Sequence, residues 1–123
     1  LIGTITEQRE GIATMTADGI TLDAVTSLPV GTPVWASILP EDITLLLSHG
    51  KQTSARNVFS GRIIHFAPRG PLLSVTVDCG AKLSATVTWR SAEEMKLKIG
   101  DEVRLSFKAS TVHVMADRGV GSE

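Results

Sequence analysis

The chain has 123 residues, 42% of them apolar, with 12 basic and 13 acidic side chains and a formal net charge of −1. That is enough material for one compact core or for two small lobes sharing it, and the charge balance excludes the broad basic field that draws nucleic acid or an anionic membrane. A single cysteine, Cys79, excludes an internal disulfide, and no apolar run reaches membrane-spanning length.

Eleven glycines, five prolines and many Thr, Val and Ile residues point to short twisted strands, so a mostly β fold is expected. Alternating apolar residues predict strands near Leu1–Thr6, Gly11–Thr16, Val34–Leu39, Ile43–Leu47, Val58–Phe66, Leu72–Asp78, Leu83–Trp89, Val103–Lys108 and Thr111–Met115. Ala17-Asp18-Gly19, Pro68-Arg69-Gly70-Pro71 and Cys79-Gly80-Ala81 read as hairpin connections. One helix is predicted over Ala92–Leu97. Ser91 stands three residues before Glu94 in a capping-box arrangement, Lys96 and Lys98 sit near the negative end of the dipole, and Gly100 closes the segment. Leu1 already lies in a predicted strand with no initiator Met and no signal peptide before it, so a soluble piece of a longer protein is expected.

The chain repeats itself. Leu28-Pro29-Val30-Gly31-Thr32-Pro33-Val34-Trp35-Ala36-Ser37 aligns with Leu97-Lys98-Ile99-Gly100-Asp101-Glu102-Val103-Arg104-Leu105-Ser106 at an offset of 69, and Gly3-Thr4-Ile5 echoes Gly61-Arg62-Ile63. Such a repeat implies two related β-barrel lobes. The first, with its linker Ser48-His49-Gly50-Lys51-Gln52, is expected over 1–52, the second over 53–116, and a flexible tail over 117–123. The copies differ: Leu39 stands where the second has Lys108, and the first has no counterpart of Ser54–Asn57 or of the helix.

A tetrahedral dianion is held without a metal by backbone N–H groups, hydroxyls and one or two fixed cations, each stronger when aimed at charge in a partly dry pocket. Thr53-Ser54-Ala55-Arg56-Asn57 offers hydroxyls and a guanidinium, Phe107-Lys108-Ala109-Ser110 an ammonium and a hydroxyl, and Thr88-Trp89-Arg90-Ser91 lies between them. Singly, each residue has an ordinary reading. Ser91 fits a helix cap, Lys108 a solvated strand edge, Arg56 a surface ion pair, Asn57 a braced turn and Thr88 any strand. In this order, and with the segment from Glu94 to Val103, they resemble the Mop/TOBE family of molybdate-binding domains over about Thr53 to Met115. Lys96 departs from that pattern, where the family's helix often carries Gly.

The resemblance implies an all-β fold of two oligonucleotide-binding-like barrel lobes with one short helix in the second. It implies that Ser54, Ala55 and Arg56 contact molybdate or tungstate, with Asn57 and Ser110 in the same site. Thr88, Ser91 and Lys108 fall on positions that complete it across a subunit interface, so a homodimer is expected. No other cofactor and no free metal cation is implied.

The segment Ile38-Leu39-Pro40-Glu41-Asp42-Ile43-Thr44-Leu45 resembles the accessory domain that follows the ATPase of many importers, and the Ser-Ala-Arg-Asn motif occurs once, not twice. The expected role is therefore the cytoplasmic regulatory domain of a molybdate or tungstate importer's ATP-binding subunit, partnered by the ATPase and membrane subunits and peripheral to the inner membrane through them. The alternatives are a molybdate storage protein and the effector domain of a molybdate-responsive transcription regulator. Catalysis by this segment is not expected: His49, His65 and His113 lack metal-site spacing, Glu41 and Asp42 belong to a turn that carries them into solvent, and there is no phosphate loop. A nucleic-acid-binding barrel would need exposed aromatics and basic residues, whereas Trp35, Phe66 and Phe107 are expected in the core.

Overall fold

The computed structural model describes residues 1–47 and 57–117. Among them are ten strands, one α-helix and two 3-10 turns. The first sheet contains β1 (Ile2–Arg9), β2 (Ile12–Ala17), β3 (Ile20–Val25), β4 (Pro33–Ser37) and β10 (His113–Ala116), in the order β10-β4-β1-β2-β3. The second contains β5 (Thr44–Leu47), β6 (Asn57–Arg69), β7 (Leu72–Asp78), β8 (Lys82–Thr88) and β9 (Glu102–Phe107), in the order β5-β9-β6-β7-β8. All pairings are antiparallel.

Alternation decides what each sheet buries, because successive side chains point to opposite faces. In the first unit Ile5, Met15, Leu22 and Val34 are almost wholly enclosed; in the second Ile63, Val75, Val77, Val103 and Leu105 are. Each sheet is a three-strand meander, β1-β2-β3 or β6-β7-β8, extended by a returning strand on the first one. The long first strand bends at a bulge, between Ile5 and Glu7 in one sheet and between Ile63 and His65 in the other. The same backbone bonds close both bends: Ile5 N–H to the Thr32 carbonyl at 3.0 Å and Gly31 N–H to that of Ile5 at 2.8 Å, matched by Ile63 to Asp101 at 3.0 Å and Gly100 to Ile63 at 2.8 Å. The internal repeat is therefore structural.

The units divide the chain differently from the sequence-order boundaries at 52 and 116. One consists of Leu1–Ile38 with the chain from Lys108 onward, the other of Leu39–Phe107. Chain position 52 itself lies outside the described residues. Each unit takes its fifth strand from the other half of the repeat: β10 pairs with β4, and β5 with β9. His113↔Ser37 and Met115↔Trp35 become Thr44↔Ser106 and Leu46↔Arg104 after a shift of 69 residues, so the registers of the two exchanged strands are the same.

Three local expectations change. Strand β3 was not among the predicted strands, yet Ile20, Leu22 and Ala24 are buried and Thr14 donates to Asp23 across the hairpin at 2.8 Å. Helix α1 spans Trp89–Glu94, not 92–97, and its cap is Thr88, whose Oγ1 accepts the Ser91 N–H at 3.0 Å. Trp35 is 47% exposed on the outer face between Ile2 and Met115, while Phe107 is buried and Phe66 half-buried.

The residue that stops the helix, just beyond its C-cap Met95, is Lys96 and not Gly100. Lys96 takes φ 54° while its N–H donates to Glu93 and the Leu97 N–H to Ala92, the paired bonds of a left-handed helix stop. A lysine there carries a steric penalty that glycine does not. Lys96→Gly is accordingly expected to stabilise the chain by about 1 kcal/mol, measurable as a raised midpoint in urea unfolding with an unchanged slope.

Candidate functional site

Asn57 opens β6 and is buried, 3% exposed. Its register partner is Phe107, the last residue of β9, itself 2% exposed and stacked on Phe59 with ring centroids 5.8 Å apart. This pairing joins two predicted segments to one end of the second sheet, since Arg56 precedes Asn57 in the chain and Lys108 follows Phe107. Ser54, Ala55 and Arg56 themselves lie outside the described residues.

Beyond Phe107 the chain makes a 3-10 turn over Ala109–Thr111. Ala109 and Val112 are buried and fasten it, whereas Lys108 and Ser110 are exposed. The Lys108 carbonyl accepts both the Thr111 N–H at 3.0 Å and the Thr111 hydroxyl at 2.7 Å. The equivalent turn in the other half, Pro40–Asp42, has the matching backbone bonds, Asp42 to Leu39 and Ile43 to Pro40 for Thr111 to Lys108 and Val112 to Ala109. It presents Leu39 where the second copy presents Lys108, and Glu41 where that copy has Ser110. An apolar side chain and a carboxylate are poor company for an anion, so the two turns share geometry but not chemistry.

Thr88 and Ser91 stand elsewhere. Thr88 pairs with Leu72, which pairs with Arg69 at the far end of β6 from Asn57. Those thirteen residues of β6 separate the Asn57 and Thr88 ends along the strand, so the register does not gather both groups at one end of this sheet. Thr88 also has its Oγ1 lone pair engaged by the Ser91 amide, which leaves its own O–H, the Ser91 hydroxyl and no Ser91 N–H for a ligand. Ser91 is thus not the cap that its spacing from Glu94 suggests; it is the residue being capped.

A groove of about 410 Å³ lies beside α1, lined by Phe66, Pro68, Leu73, Trp89, Ala92 and Leu97, with Glu93 and Lys96 also reaching it. None of the predicted oxyanion residues lines it, its walls are mostly apolar, and its one ammonium, of Lys96, has the Glu93 carboxylate beside it in the lining. Burial pushes the Cys79 thiol up from its ordinary pKa, the carbonyl of Ala81 accepts its S–H at 3.2 Å, and the group is correspondingly unreactive. Among the described residues no cluster of His, Cys, Asp and Glu could hold a metal ion, and no helix is long and apolar enough to cross a membrane. Sequence reasoning missed Thr111; the available signal was a hydroxyl residue three positions after Lys108, the spacing at which such side chains bond back to the backbone.

The family model described as TOBE domain matches residues 53–114. The molybdate/tungstate import ATP-binding protein WtpC of Pyrococcus horikoshii is 43% identical over 82 residues, 66% of this chain and 24% of the relative. The molybdenum transport protein ModE of Herbaspirillum seropedicae is 34% identical over 86 residues, 68% of this chain and 32% of the relative. The chain thus spans between a quarter and a third of the length of these two curated relatives. Among solved structures, the cytoplasmic molybdate-binding protein ModG, crystallised with molybdate bound, superposes with a TM-score of 0.83 at 25% identity, covering 94% of each chain.

Proposed function

Because the chain belongs to the TOBE domain family, we propose that it binds molybdate or tungstate and is the regulatory part of an importer's ATP-binding subunit. The observation that carries the binding site is the Asn57–Phe107 pairing, which ties the Ser54-Ala55-Arg56 segment and the Lys108-Ala109-Ser110 turn to one sheet end. The amides, hydroxyls and two cations that these two segments carry are of the kind that suits a tetrahedral dianion. Thr88 and Ser91, at the other end of β6, then complete the site from a second copy of the chain, and two equivalent sites follow from twofold symmetry. Oxyanion bound at that interface stabilises one arrangement of the paired domains and hinders closure of the attached ATPases. That requires tighter binding to one arrangement than to the other. In this reading the piece itself binds and does not catalyse, it resides in the cytoplasm against the inner membrane through the transporter, and nucleic acid is not its ligand. The 43% identity to an import ATP-binding protein supports it.

A storage protein is the second reading, favoured by the superposition on ModG, a cytoplasmic molybdate-binding protein. The similarity to ModE keeps a third in view, an effector domain that would stand beside a helix-turn-helix in the complete protein. In the full-length protein, molybdate that slows ATP hydrolysis marks the importer; no attached ATPase marks storage.

The site is tested by titrating the chain with molybdate, with sulfate as control and molar mass recorded. One oxyanion per chain in a dimer, with sulfate much weaker, is the expected result. Lys108→Ala and Arg56→Ala should each weaken binding about tenfold to a hundredfold, the worth of one charge-assisted hydrogen bond, with the melting temperature unchanged. Full affinity in both variants would remove the site.

A further inference from the structure

We propose that Thr111 is a positioning residue for the oxyanion site, fixing the turn that presents Lys108 and Ser110; this rests on the assignment of those two residues to the site. The Thr111 amide and hydroxyl both donate to the Lys108 carbonyl, at 3.0 and 2.7 Å. Those two hydrogen bonds hold the backbone at the start of the turn, where Lys108 has φ −79° and ψ 146°. The rest of the turn is held from below, since Ala109 and Val112 are buried and the turn packs on β3. Only Lys108 and Ser110 point outward. A ligand therefore meets a turn whose backbone is already in place, and ordering that backbone is not charged against binding.

Comparison within the chain isolates the hydroxyl's contribution. The equivalent turn Pro40–Asp42 forms with the same backbone bonds, and the residue at the Thr111 position there is Asp42, whose ionised carboxylate has no proton to donate to Leu39. The 3-10 turn thus folds without a side-chain clamp. The clamp occurs in the copy that carries the ammonium and the hydroxyl, where precision of placement matters to an anion.

The test is titration of the 123-residue chain with molybdate for the wild type, Thr111→Val and Thr111→Ser, each also in a Lys108→Met background, with thermal melting as a folding check. Valine keeps the branched shape and removes the donor; serine keeps the donor. Thr111→Val should bind about fivefold more weakly, the worth of one neutral hydrogen bond, and Thr111→Ser within about twofold of wild type. In the Lys108→Met background the valine effect should shrink to the part carried by Ser110, because the contact through Lys108 is then already removed. Wild-type affinity in Thr111→Val, or an equal loss in both backgrounds, would overturn the positioning role while leaving the site intact. A wild-type chain that binds no molybdate would instead overturn the functional reading, and this one with it.

Discussion

Residues 53–123 produced without residues 1–52 are expected not to form a folded monomer. That fragment keeps β6 to β9 but loses β5, which pairs along β9 from Thr44↔Ser106 to Leu47↔Val103. It also loses Ile43 and Leu45, buried at 4% and 8% exposure, worth about 4 kcal/mol together by transfer alone. Against a typical total of about 5–15 kcal/mol this is a large share, and it leaves the β9 edge open. The fragment still carries β10, whose register on β4 matches that of β5 on β9 residue for residue. Val112 replaces Ile43, Val114 replaces Leu45 and Met115 replaces Leu46, apolar for apolar. A second copy's β10 can therefore fill the place of β5, and exchange of identical strands gives a closed dimer. Sedimentation should find twice the fragment mass, and the melting temperature should rise with concentration. A stable monomer, with no concentration dependence, would contradict the exchange. The family match at 53–114 fits this account, since it reaches β10 and omits β5.

That exchange was the part of the fold that the sequence could not express. Alternation placed most of the strands within a residue or two, and the 69-residue repeat marked the equivalent ones. But β5 and β10 are equivalents of each other, so periodicity says that each can pair in either place and not which place it takes. Strand β3 was legible in the same alternation, Ile20, Leu22 and Ala24 against Thr21 and Asp23; what tells against it in the sequence is Asp23, a residue depleted in strands, which is made tolerable by Thr14 on the neighbouring strand, a tertiary fact. The helix start went to the wrong hydroxyl. Thr88 and Ser91 are both capping residues three apart, and β8 delivers Thr88 to the helix start by ending there. For the oxyanion residues, the family resemblance implied that Asn57 and Lys108 share a site; what the register adds is the pairing of Asn57 with Phe107, the residue before Lys108. The bond on Lys108 is an ordinary one for a threonine three residues on, since Thr32 makes it to the Pro29 carbonyl at 2.7 Å; what the sequence does not show is that this copy of it falls on the turn that carries Lys108 and Ser110.

Gly61→Ala should destabilise the chain by about 3 kcal/mol or more, lowering the melting temperature by about 10 °C. A Cβ at Gly61 would overlap the carbonyl oxygen of Asp78 and stand 2.8 Å from its carbon and from Val77 Cγ1. No backbone φ reason is involved. The glycine is needed because β6 crosses β7 closely just before its bulge, and two of the three atoms met are backbone that cannot rotate aside. The repeat supplies an independent check: Gly3, the equivalent residue before the bulge of β1, would meet the carbonyl oxygen of Thr16 and the Cβ of Ala17, at 2.7 Å for the latter. Sequence similarity at Gly3-Thr4-Ile5 and Gly61-Arg62-Ile63 is therefore the trace of one steric requirement met twice. Ser60→Ala, at an exposed neighbouring position, should change stability by less than about 0.5 kcal/mol. If Gly61→Ala melted with the wild type, the close approach of β6 to β7 would not be a constraint on the fold. If it unfolds the second lobe, the sheet end that carries Asn57 is lost with it, and molybdate binding should fall in step with the folded fraction, recovering on cooling.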